Sequence, residues 1–490
     1  MASQRLSTDE RTFFRLVADA ALANPFGPEW LELDGAIGNA APGTPREETV
    51  RRITHEISSR IHALDRSGHA DPARYGKEDG DLLRASFLFH TYHQFLEDFN
   101  RLIQRQTEAG KKSEPARFAV RIIESLEQRG FTHEESVHYL CLFYQLRRAH
   151  FLIYQSLIGR SPSISRLRLQ LWQNVFPRNV RRFDQHLWNR MEVFSTLLLG
   201  ETGTGKGASA AAIGRSSYIP FDESKQRFEP GFHATFIRVN LSQFSGNLLE
   251  SELFGHRKGA FTGAADDYEG HLARCMRHGA IFLDELGDIS PAVQTKLLKV
   301  LEDRTFTPAG SHDSCRFEGQ IIAATNRDLN KLREQGVFRD DLYYHLCSDV
   351  IRIPPLRTRI QEDPREFDDM VTHLVGRMVG EGATDVTAMV KESLRTSPGK
   401  DYTWPGNVRE LEQAIRKVIL NRVCEGDERL LATDTRDALV AGRESGSMSA
   451  TEVLQGYCRI LYDRHRNYVE VARIVGLDRH TAKKYIEQTV

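Results

Sequence analysis

A glycine-rich loop between an apolar run and a helical pattern constrains the fold of this chain more than any other feature. The loop is Gly200-Glu-Thr-Gly-Thr-Gly-Lys206; it follows Leu197–Leu199 and precedes a helical stretch that begins at Ala208. In such a strand–loop–helix unit, backbone N–H groups close around phosphate oxygens, and the helix N-terminus adds partial positive charge. Lys206 supplies a point charge for the β- and γ-phosphates. The pattern predicts a phosphate-binding loop; the flanking elements disfavour the alternative of an ordinary glycine turn.

Short apolar runs that alternate with helical patterns fill the centre of the chain. Besides Thr196–Leu199 they are Thr235–Val239, Ala280–Leu283 and Gln320–Ala324. Strands that alternate with helices predict a parallel sheet with helices on both faces. We therefore predict an α/β core over residues 161–355, followed by a helical lid over residues 356–430.

Polar residues follow two of the buried runs. Asp284 and Glu285 come directly after Ala280–Leu283. In phosphate-loop ATPases the first acid orients Mg²⁺ with its waters, and the second polarises the attacking water. Asn326 ends another run at the same predicted sheet edge, where ligands bind in open α/β sheets, and is a candidate γ-phosphate sensor. Solvated turns are the alternative for both groups.

Composition limits the remaining classes of protein. The chain has 490 residues, 40% of them apolar, a net charge of −1 and six cysteines without a CxxC pair. This predicts a multidomain cytoplasmic protein without a structural zinc site or disulfide framework. The most apolar long stretch, 137–157, contains charged side chains, which argues against a membrane span. Because the net charge is near zero, any DNA contact has to come from a local patch.

Residues 1–160 are predicted to be helical. Ser7 with Glu10, and Thr132 with Glu135, have capping-box spacing ahead of apolar positions on one helical face. A turn-rich stretch, residues 159–165, predicts the boundary of this region. We interpret it as a regulatory domain of unknown signal, with oligomerisation or partner docking as the alternative. Its polar cluster Arg147, Arg148 and His150 is predicted to be a solvated helix face.

The most specific string in the chain is Gly259-Ala-Phe-Thr-Gly-Ala264. Small residues around one aromatic ring and one hydroxyl allow a loop to move and still offer apolar contact and a hydrogen bond. With this string, residues 196–421 resemble the sigma-54-dependent activators, bacterial enhancer-binding proteins of the AAA+ ATPase class. The resemblance implies an α/β ATPase ring whose pore loop contacts sigma-54 through Gly259, Ala260, Phe261, Thr262, Gly263 and Ala264. For the hexapeptide alone, a glycine-rich surface turn is the alternative.

The resemblance also assigns roles to single residues. Asn240 is similar to the switch asparagine, which holds the catalytic Glu285 away from water. Arg339 is similar to the arginine finger, which reaches the γ-phosphate of a neighbouring subunit. Arg409, in the string Trp404-Pro-Gly-Asn-Val-Arg409, is similar to the sensor II residue. For either arginine alone, a surface salt bridge is the alternative. With ATP and Mg²⁺ as ligands and Asp284 at the metal, the nucleotide-binding set is Gly200, Glu201, Thr202, Gly203, Thr204, Gly205, Lys206, Gly207 and Arg409.

Three departures from the family pattern bear on the chemistry. Gly207 lacks the hydroxyl that commonly binds Mg²⁺ in phosphate loops, and the family usually has Glu there. His345 stands where a second finger arginine is common, and an imidazole gives less charge stabilisation than a guanidinium. The segment between Gly214 and Phe236 is longer than is typical, which affects the expected adenine-side loops.

The C-terminal residues 450–490 are predicted to form a helix-turn-helix DNA-binding domain after a flexible linker, residues 441–449. Gly476 supplies the turn, and Ala472 lies where the two helices cross. Residues 459–490 hold seven Lys/Arg against four Asp/Glu, an excess suited to phosphate contact. A plain helical hairpin is the alternative. The predicted DNA contacts are Arg479, His480, Thr481, Lys483 and Lys484.

Three functions follow as hypotheses. The first is an enhancer-bound ATPase, a homo-oligomer that forms a hexameric ring, binds an upstream activating sequence and remodels sigma-54 RNA polymerase holoenzyme for promoter opening. The second is an AAA+ protein remodeller outside transcription. The third is a DNA-bound regulator with degraded catalysis, which only Gly207 and His345 support. No membrane partner is predicted.

Overall fold

The computed structural model describes residues 4–41, 43–177, 179–380, 382–399, 402–420, 449–465 and 467–487. The chain forms two compact units, residues 1–370 with 406–409 and residues 371–405 with 410–490. The five described cysteines are free; Cys424 lies outside the described residues. Within these ranges, every helix is too short or too polar to cross a membrane.

The N-terminal part of the first unit is helical, as predicted. Ser7 with Glu10 and Thr132 with Glu135 form the two predicted capping boxes. The helices are α1 Thr8–Leu22, α2 Pro28–Gly38, α3 Arg46–Arg66, α4 Lys77–Gln94, α5 Leu96–Ala109, α6 Ala119–Glu127, α7 His133–Ser156, α8 Pro162–Val175 and α9 Val180–His186, with 3₁₀ turns at Pro72–Arg74 and Met191–Val193.

The centre of the first unit is a five-stranded parallel sheet, and the AAA+ α/β prediction is confirmed. Two short antiparallel hairpins accompany it. The strands are β1 Thr196–Leu199, β2 Phe221–Asp222, β3 Arg227–Phe228, β4 Phe236–Asn240, β5 Ala280–Asp284, β6 Thr305–Phe306, β7 Cys315–Arg316, β8 Gln320–Thr325 and β9 Asp349–Arg352. The sheet order is β4-β5-β8-β1-β9, with every neighbouring pair parallel. The sequence predicted four of these five strands and missed β9.

Helices follow most of the strands. The division between the two units falls within the helix Arg365–Val379. The helices are α10 Lys206–Gly214, α11 Gly246–Phe254, α12 His271–Arg274, α13 Pro291–Asp303, α14 Leu329–Glu334, α15 Asp340–Leu346, α16 Leu356–Glu362, α17 Arg365–Val379, α18 Thr384–Leu394 and α19 Asn407–Ile419. Short helical turns lie at Leu241–Gln243, Leu286–Asp288 and Arg395–Gly399.

Alternate side chains of the strands enter two separate cores, as a sheet covered on both faces requires. Leu197 and Ile281 pack in a core with Val293 of α13. Their neighbours Leu198 and Phe282 pack in a core that also contains the N-terminal helices. The predicted boundary near residue 160 lies between α7 and α8, within continuous packing, and the first strand begins only at Thr196. The domain limits stay predictions.

The long segment between Gly214 and Phe236 forms the β2–β3 hairpin. The ring of Phe228 stacks on Tyr144 of α7 with centroids 4.0 Å apart. The Ala116 N–H donates to the Gln226 carbonyl at 2.8 Å. The additional residues thus pack against the N-terminal helices.

The described C-terminal residues form three helices, α20 Ala450–His465, α21 Tyr468–Val475 and α22 Arg479–Glu487. Cys458, Leu461 and Val471 are the buried centre of this group. Gly476 ends α21 with a left-handed backbone, φ 75°, so the predicted turn is confirmed. Residues 441–448 of the predicted linker and residues 421–430 of the predicted lid lie outside the described residues.

Candidate functional site

The carboxyl ends of the parallel strands bring the predicted site residues to one edge of the sheet. The phosphate loop follows β1, Glu285 follows β5 and Asn326 follows β8. Asn240 at the end of β4 lies in register with Asp284 at the end of β5. In open parallel sheets this edge is where ligands bind.

The conformation of the phosphate loop depends on two glycines. Gly203 and Gly205 have φ values of 80° and 106°, a left-handed backbone that favours glycine. A Cβ at Gly203 would lie 2.2 Å from the Gly406 carbonyl oxygen, so this position has no room for a side chain. The helix α10 begins directly at Lys206, and its first N–H groups lack intrahelical partners. The loop and helix end therefore form a cradle whose geometry suits an anion.

Lys206 is buried and already oriented toward the loop. Its Nζ donates to the carbonyl oxygens of Gly200 at 2.8 Å and Glu201 at 3.1 Å. Burial lowers the pKa of Lys206, while the carboxylates of Glu285 and Asp284 oppose that shift. The two loop carbonyls are neutral acceptors. Phosphate oxygens of a bound nucleotide would be charged acceptors, to which the ammonium would bind more strongly.

The two strand-end acids have different environments. Asp284 is buried, and its Oδ2 accepts a hydrogen bond from Arg238 Nη2 at 2.8 Å. Glu285 has φ 59° and ψ 46°, a left-handed conformation that costs roughly 1–3 kcal/mol for a residue other than glycine. The fold thus turns the chain sharply at Glu285, directly after the buried strand.

The donor set at this edge fits Mg²⁺ bound together with a nucleotide. Mg²⁺ commonly keeps several waters and is held by one or two carboxylates and substrate phosphates. Asp284 and Glu285 provide carboxylates, and Gly207 provides no oxygen from a side chain. In the described parts of the chain, no group of three or more His, Cys, Asp and Glu residues is arranged to hold a metal by itself. The phosphates would therefore have to supply part of the coordination.

The two predicted asparagines make different contacts. Asn326 Nδ2 donates to Thr202 Oγ1 at 2.9 Å, which places it against the phosphate loop. Asn240 Oδ1 accepts hydrogen bonds from the Ser242 N–H at 3.1 Å and from its hydroxyl at 2.9 Å. Restraint of Glu285 by Asn240 stays a prediction.

Arg409 belongs to a segment that contacts the phosphate loop. The Val408 N–H donates to the Gly203 carbonyl at 3.1 Å, and the positive charge of Arg409 contributes to the lowered pKa of Lys206. The structure therefore brings Arg409 to the same site as the loop.

Two further residues at the site were missed in the sequence. Arg357 binds the Glu201 carboxylate through two hydrogen bonds of 2.8 and 2.5 Å, and this pairing lowers the pKa of Glu201. Asn407 is buried, and its Nδ2 donates to Glu201 Oε2 and to the Thr202 carbonyl, each at 3.1 Å. Asn407 stands in the same matched string as Arg409, which is a usable signal. Arg357 carries none.

Arg339 lies outside this cluster of contacts. Its guanidinium binds the Asp341 carboxylate at 3.0 and 2.7 Å, and that pairing lowers the pKa of Asp341 to about 2. The Arg339 backbone N–H donates to Gln294 Oε1 at 2.9 Å. His345 Nε2 lies 3.2 Å from Glu302 Oε1. Both side chains are exposed, as a contact with a neighbouring subunit requires.

The Gly259–Ala264 loop is a tight, exposed turn. The Gly259 N–H donates to the Ala264 carbonyl at 2.9 Å, and Gly263 has φ 103°. The Phe261 side chain is 43% exposed, and its ring lies 4.9 Å from that of His256. Thr262 at the tip is also exposed. The loop thus presents an aromatic ring and a hydroxyl to solvent.

The predicted solvated cluster on α7 is wrong for Arg148. This residue is fully buried; its Nε donates to the Arg215 carbonyl at 2.8 Å, and its Nη2 donates to the Ser217 carbonyl. Gln145 Nε2 donates to the Ser216 carbonyl at 3.0 Å. These acceptors lie at the C-terminal end of α10, where helix carbonyls lack intrahelical partners and attract cations. The N-terminal region therefore contacts the helix that carries the phosphate loop.

Comparison with known proteins agrees with these motifs. The family described as Sigma-54 interaction domain matches residues 178–352. The DNA-binding transcriptional regulator NtrC of Rhizobium meliloti (strain 1021) is 35% identical over 337 residues, which cover 61% of this chain and 65% of that protein. The Nif-specific regulatory protein of Azotobacter vinelandii is 39% identical over 260 residues, which cover 53% and 43% of the two chains.

The chain thus spans about two thirds or less of the length of these relatives. A crystal structure of NtrX from Brucella abortus in complex with ATP aligns with a TM-score of 0.40 and 20% identity, over 74% of this chain and 79% of that chain. Residues 178–352 thus match the Sigma-54 interaction domain, and the chain is similar over its central part to the transcriptional regulators NtrC and the Nif-specific regulatory protein.

Proposed function

We propose that this protein hydrolyses ATP, binds enhancer-like DNA and remodels sigma-54 RNA polymerase so that promoter DNA opens. The observation that carries the proposal is one α/β unit that holds both a phosphate cradle with two strand-end acids and the exposed Gly259–Ala264 loop. The family match supports the partner. Such a protein acts where promoter DNA is, in the cytoplasm.

At the nucleotide site, the position of each residue supports a particular role in ATP binding or hydrolysis. The loop N–H groups and Lys206 bind the β- and γ-phosphates, and Asn326 reports the γ-phosphate through its contact with Thr202. Glu285 takes a proton from the attacking water, and Asp284 orients the metal side of the site. Mg²⁺ supplies charge neutralisation between the phosphates when bound.

Completion of the site by a second subunit is part of the proposal. Arg339 is exposed and belongs to the finger segment, so a neighbouring protomer would use it to stabilise charge on the transferred phosphoryl group. A closed ring, hexameric by the family resemblance, puts every finger against a neighbouring site. Nucleotide turnover would then move the Gly259–Ala264 loop in the pore.

Replacing Phe261 by Ala, and separately Thr262 by Ala, should weaken sigma-54 binding. Loss of an exposed aromatic contact at the centre of an interface weakens affinity by about tenfold or more. Fluorescence anisotropy of labelled sigma-54, titrated with the full chain in ATP and Mg²⁺, measures this affinity. Leu31→Ala, which removes another exposed apolar side chain, is the control and should bind normally. Wild-type affinity in both loop variants contradicts the proposed contact; stimulation of ATP turnover by a different protein alone favours a remodeller outside transcription.

DNA binding is proposed for the C-terminal helices. Four predicted contacts are exposed on α22, namely Arg479, His480, Lys483 and Lys484. The fifth, Thr481, donates its hydroxyl to Asp478 Oδ2 at 2.5 Å, so its contact with DNA would require that bond to break. The Asp478 carboxylate also accepts from the His480 N–H at 2.9 Å, which caps the helix.

Replacing Lys483 and Lys484 together by Ala should weaken DNA binding for every sequence tested. Each lost phosphate contact lowers the salt slope of log K by about 1. Titration of a short duplex at several salt concentrations measures the slope, and Lys417→Ala, an exposed lysine outside this group, is the control. An unchanged slope would show that α22 does not face the phosphates.

A further inference from the structure

An arginine occupies the metal side of the phosphate loop. Arg238 lies on β4, in register with Phe282 of β5, and its Cζ lies 5.6 Å from the Phe282 ring centroid. Its Nη2 lies 2.8 Å from Asp284 Oδ2, with the two side chains 56% and 12% exposed. The guanidinium thus pairs with the acid that is expected to orient Mg²⁺.

The same guanidinium lies against the residue that departs from the phosphate-loop pattern. A Cβ at Gly207 would lie 3.3 Å from Arg238 Nη1 and Nη2, a tight contact for a carbon atom. A serine or threonine at this position would add a hydroxyl beyond this Cβ, next to the guanidinium. The lack of a side chain at Gly207 therefore leaves the space that the Arg238 guanidinium occupies.

The pairing of Arg238 with Asp284 reduces the electrostatic repulsion that a nucleotide bound without Mg²⁺ would meet. Asp284 and Glu285 both lie near Lys206 and contribute to its pKa, so their charges act on the phosphate cradle. Bare carboxylates repel triphosphate, and Mg²⁺ ordinarily cancels that repulsion. An arginine paired with Asp284 cancels part of it permanently, and a guanidinium carries further N–H donors suited to phosphate oxygens.

We propose that Arg238 is a nucleotide-binding residue that supplies positive charge on the metal side of the site, so that ATP binding by this chain persists without Mg²⁺. This rests on the proposed function, because it assumes that the cradle binds ATP. It also implies that Mg²⁺ competes with Arg238 for Asp284.

The test uses the full chain and a fluorescent ATP analogue, titrated in excess Mg²⁺ and in EDTA. The quantity compared is the Kd in EDTA divided by the Kd in Mg²⁺. In Arg238→Ala this ratio should rise by about tenfold or more, through weaker binding in EDTA, as expected for loss of a charge-assisted contact. Arg238→Lys keeps the charge and should stay closer to wild type. Gly207→Ser, which crowds the guanidinium and adds a hydroxyl, should also raise the ratio.

The matched control is Arg15→Ala, an arginine of similar exposure, 54%, that pairs with Glu78 far along the sequence. An equal ratio in wild type, Arg238→Ala and Gly207→Ser, with binding in Mg²⁺ intact, overturns the role of Arg238 alone. Failure of the wild type to bind the analogue even in Mg²⁺ overturns the proposed function itself. The two failures are therefore distinguishable.

Discussion

Replacing Lys206 by Ala is expected to abolish ATP turnover. The ammonium is the buried cation at the phosphate cradle, already oriented by the Gly200 and Glu201 carbonyls. Without it, charge on the β- and γ-phosphates in the transition state loses its nearest fixed partner. Removal of one such electrostatic contact costs about 10²–10³ in rate. Release of phosphate by purified full chain with ATP and Mg²⁺ measures the effect.

Loss of turnover in this variant should not come from unfolding. Burial lowers the pKa of Lys206, so the charged ammonium is less stable in this site than in water. Its removal therefore takes away no net stabilising charge. The Gly200 and Glu201 carbonyls that lose this donor are only partly buried, so water can replace it, and thermal unfolding should occur at a similar temperature. Lys225→Ala, a lysine that binds Glu229 at the surface, is the control for a lost lysine elsewhere. Turnover retained in Lys206→Ala would contradict the assignment of the cradle.

The central fold was predictable because local patterns and topology agree there. Apolar runs such as Ala280–Leu283, followed by turn and helix signals, fix both a strand and its parallel direction. Once the strands are parallel, Asp284 and Asn326 have to share an edge with the loop at Gly200. The strand Asp349–Arg352 was missed because a charged residue stands at each end and only two apolar residues lie between them.

The missed parts of the site are long-range pairings. Arg357 and Asn407 meet Glu201 across separations of 156 and 206 residues, which no local periodicity encodes. In the sequence, Arg238 is an ordinary polar residue in a strand. Its contact with Asp284 becomes visible only when β4 pairs with β5. The prediction of a solvated helix face failed at Arg148 for a similar reason, because the carbonyl acceptors of Arg148 come from another region of the chain.

Replacing Arg148 by Ala is expected to destabilise the first unit strongly. The change leaves the Arg215 and Ser217 carbonyls buried without their donor, and it removes the group that lies 4.3 Å from the Tyr144 ring centroid. A buried polar group without a partner costs about 1–3 kcal/mol, and a cavity from a large side chain adds to it. We expect a loss of about 3 kcal/mol or more in the free energy of unfolding.

Hydrogen exchange measures this loss where it arises. Amides of α7 and α10 should exchange faster in Arg148→Ala, because the two helices lose the contact between them. Arg148→Met restores volume but no donor, and it should recover only part of the protection. Arg147→Ala is the matched control: its guanidinium donates to Asn100 at 2.5 Å in a partly exposed position, where ion pairs and hydrogen bonds contribute little.

Equal protection in Arg148→Ala and Arg147→Ala would mean that water replaces the guanidinium without cost. A larger loss of protection in Arg148→Ala than in Arg147→Ala would instead show that Arg148 connects the N-terminal helices to α10, the helix that follows the phosphate loop. The helix α10 has nine residues, with Lys206 in its first turn and the Arg148 acceptors just past its C-terminal end. A helix transmits displacement along its axis because its hydrogen bonds fix the rise per residue. A displacement of α7 would therefore have a short mechanical path to Lys206, the residue proposed to bind the phosphates.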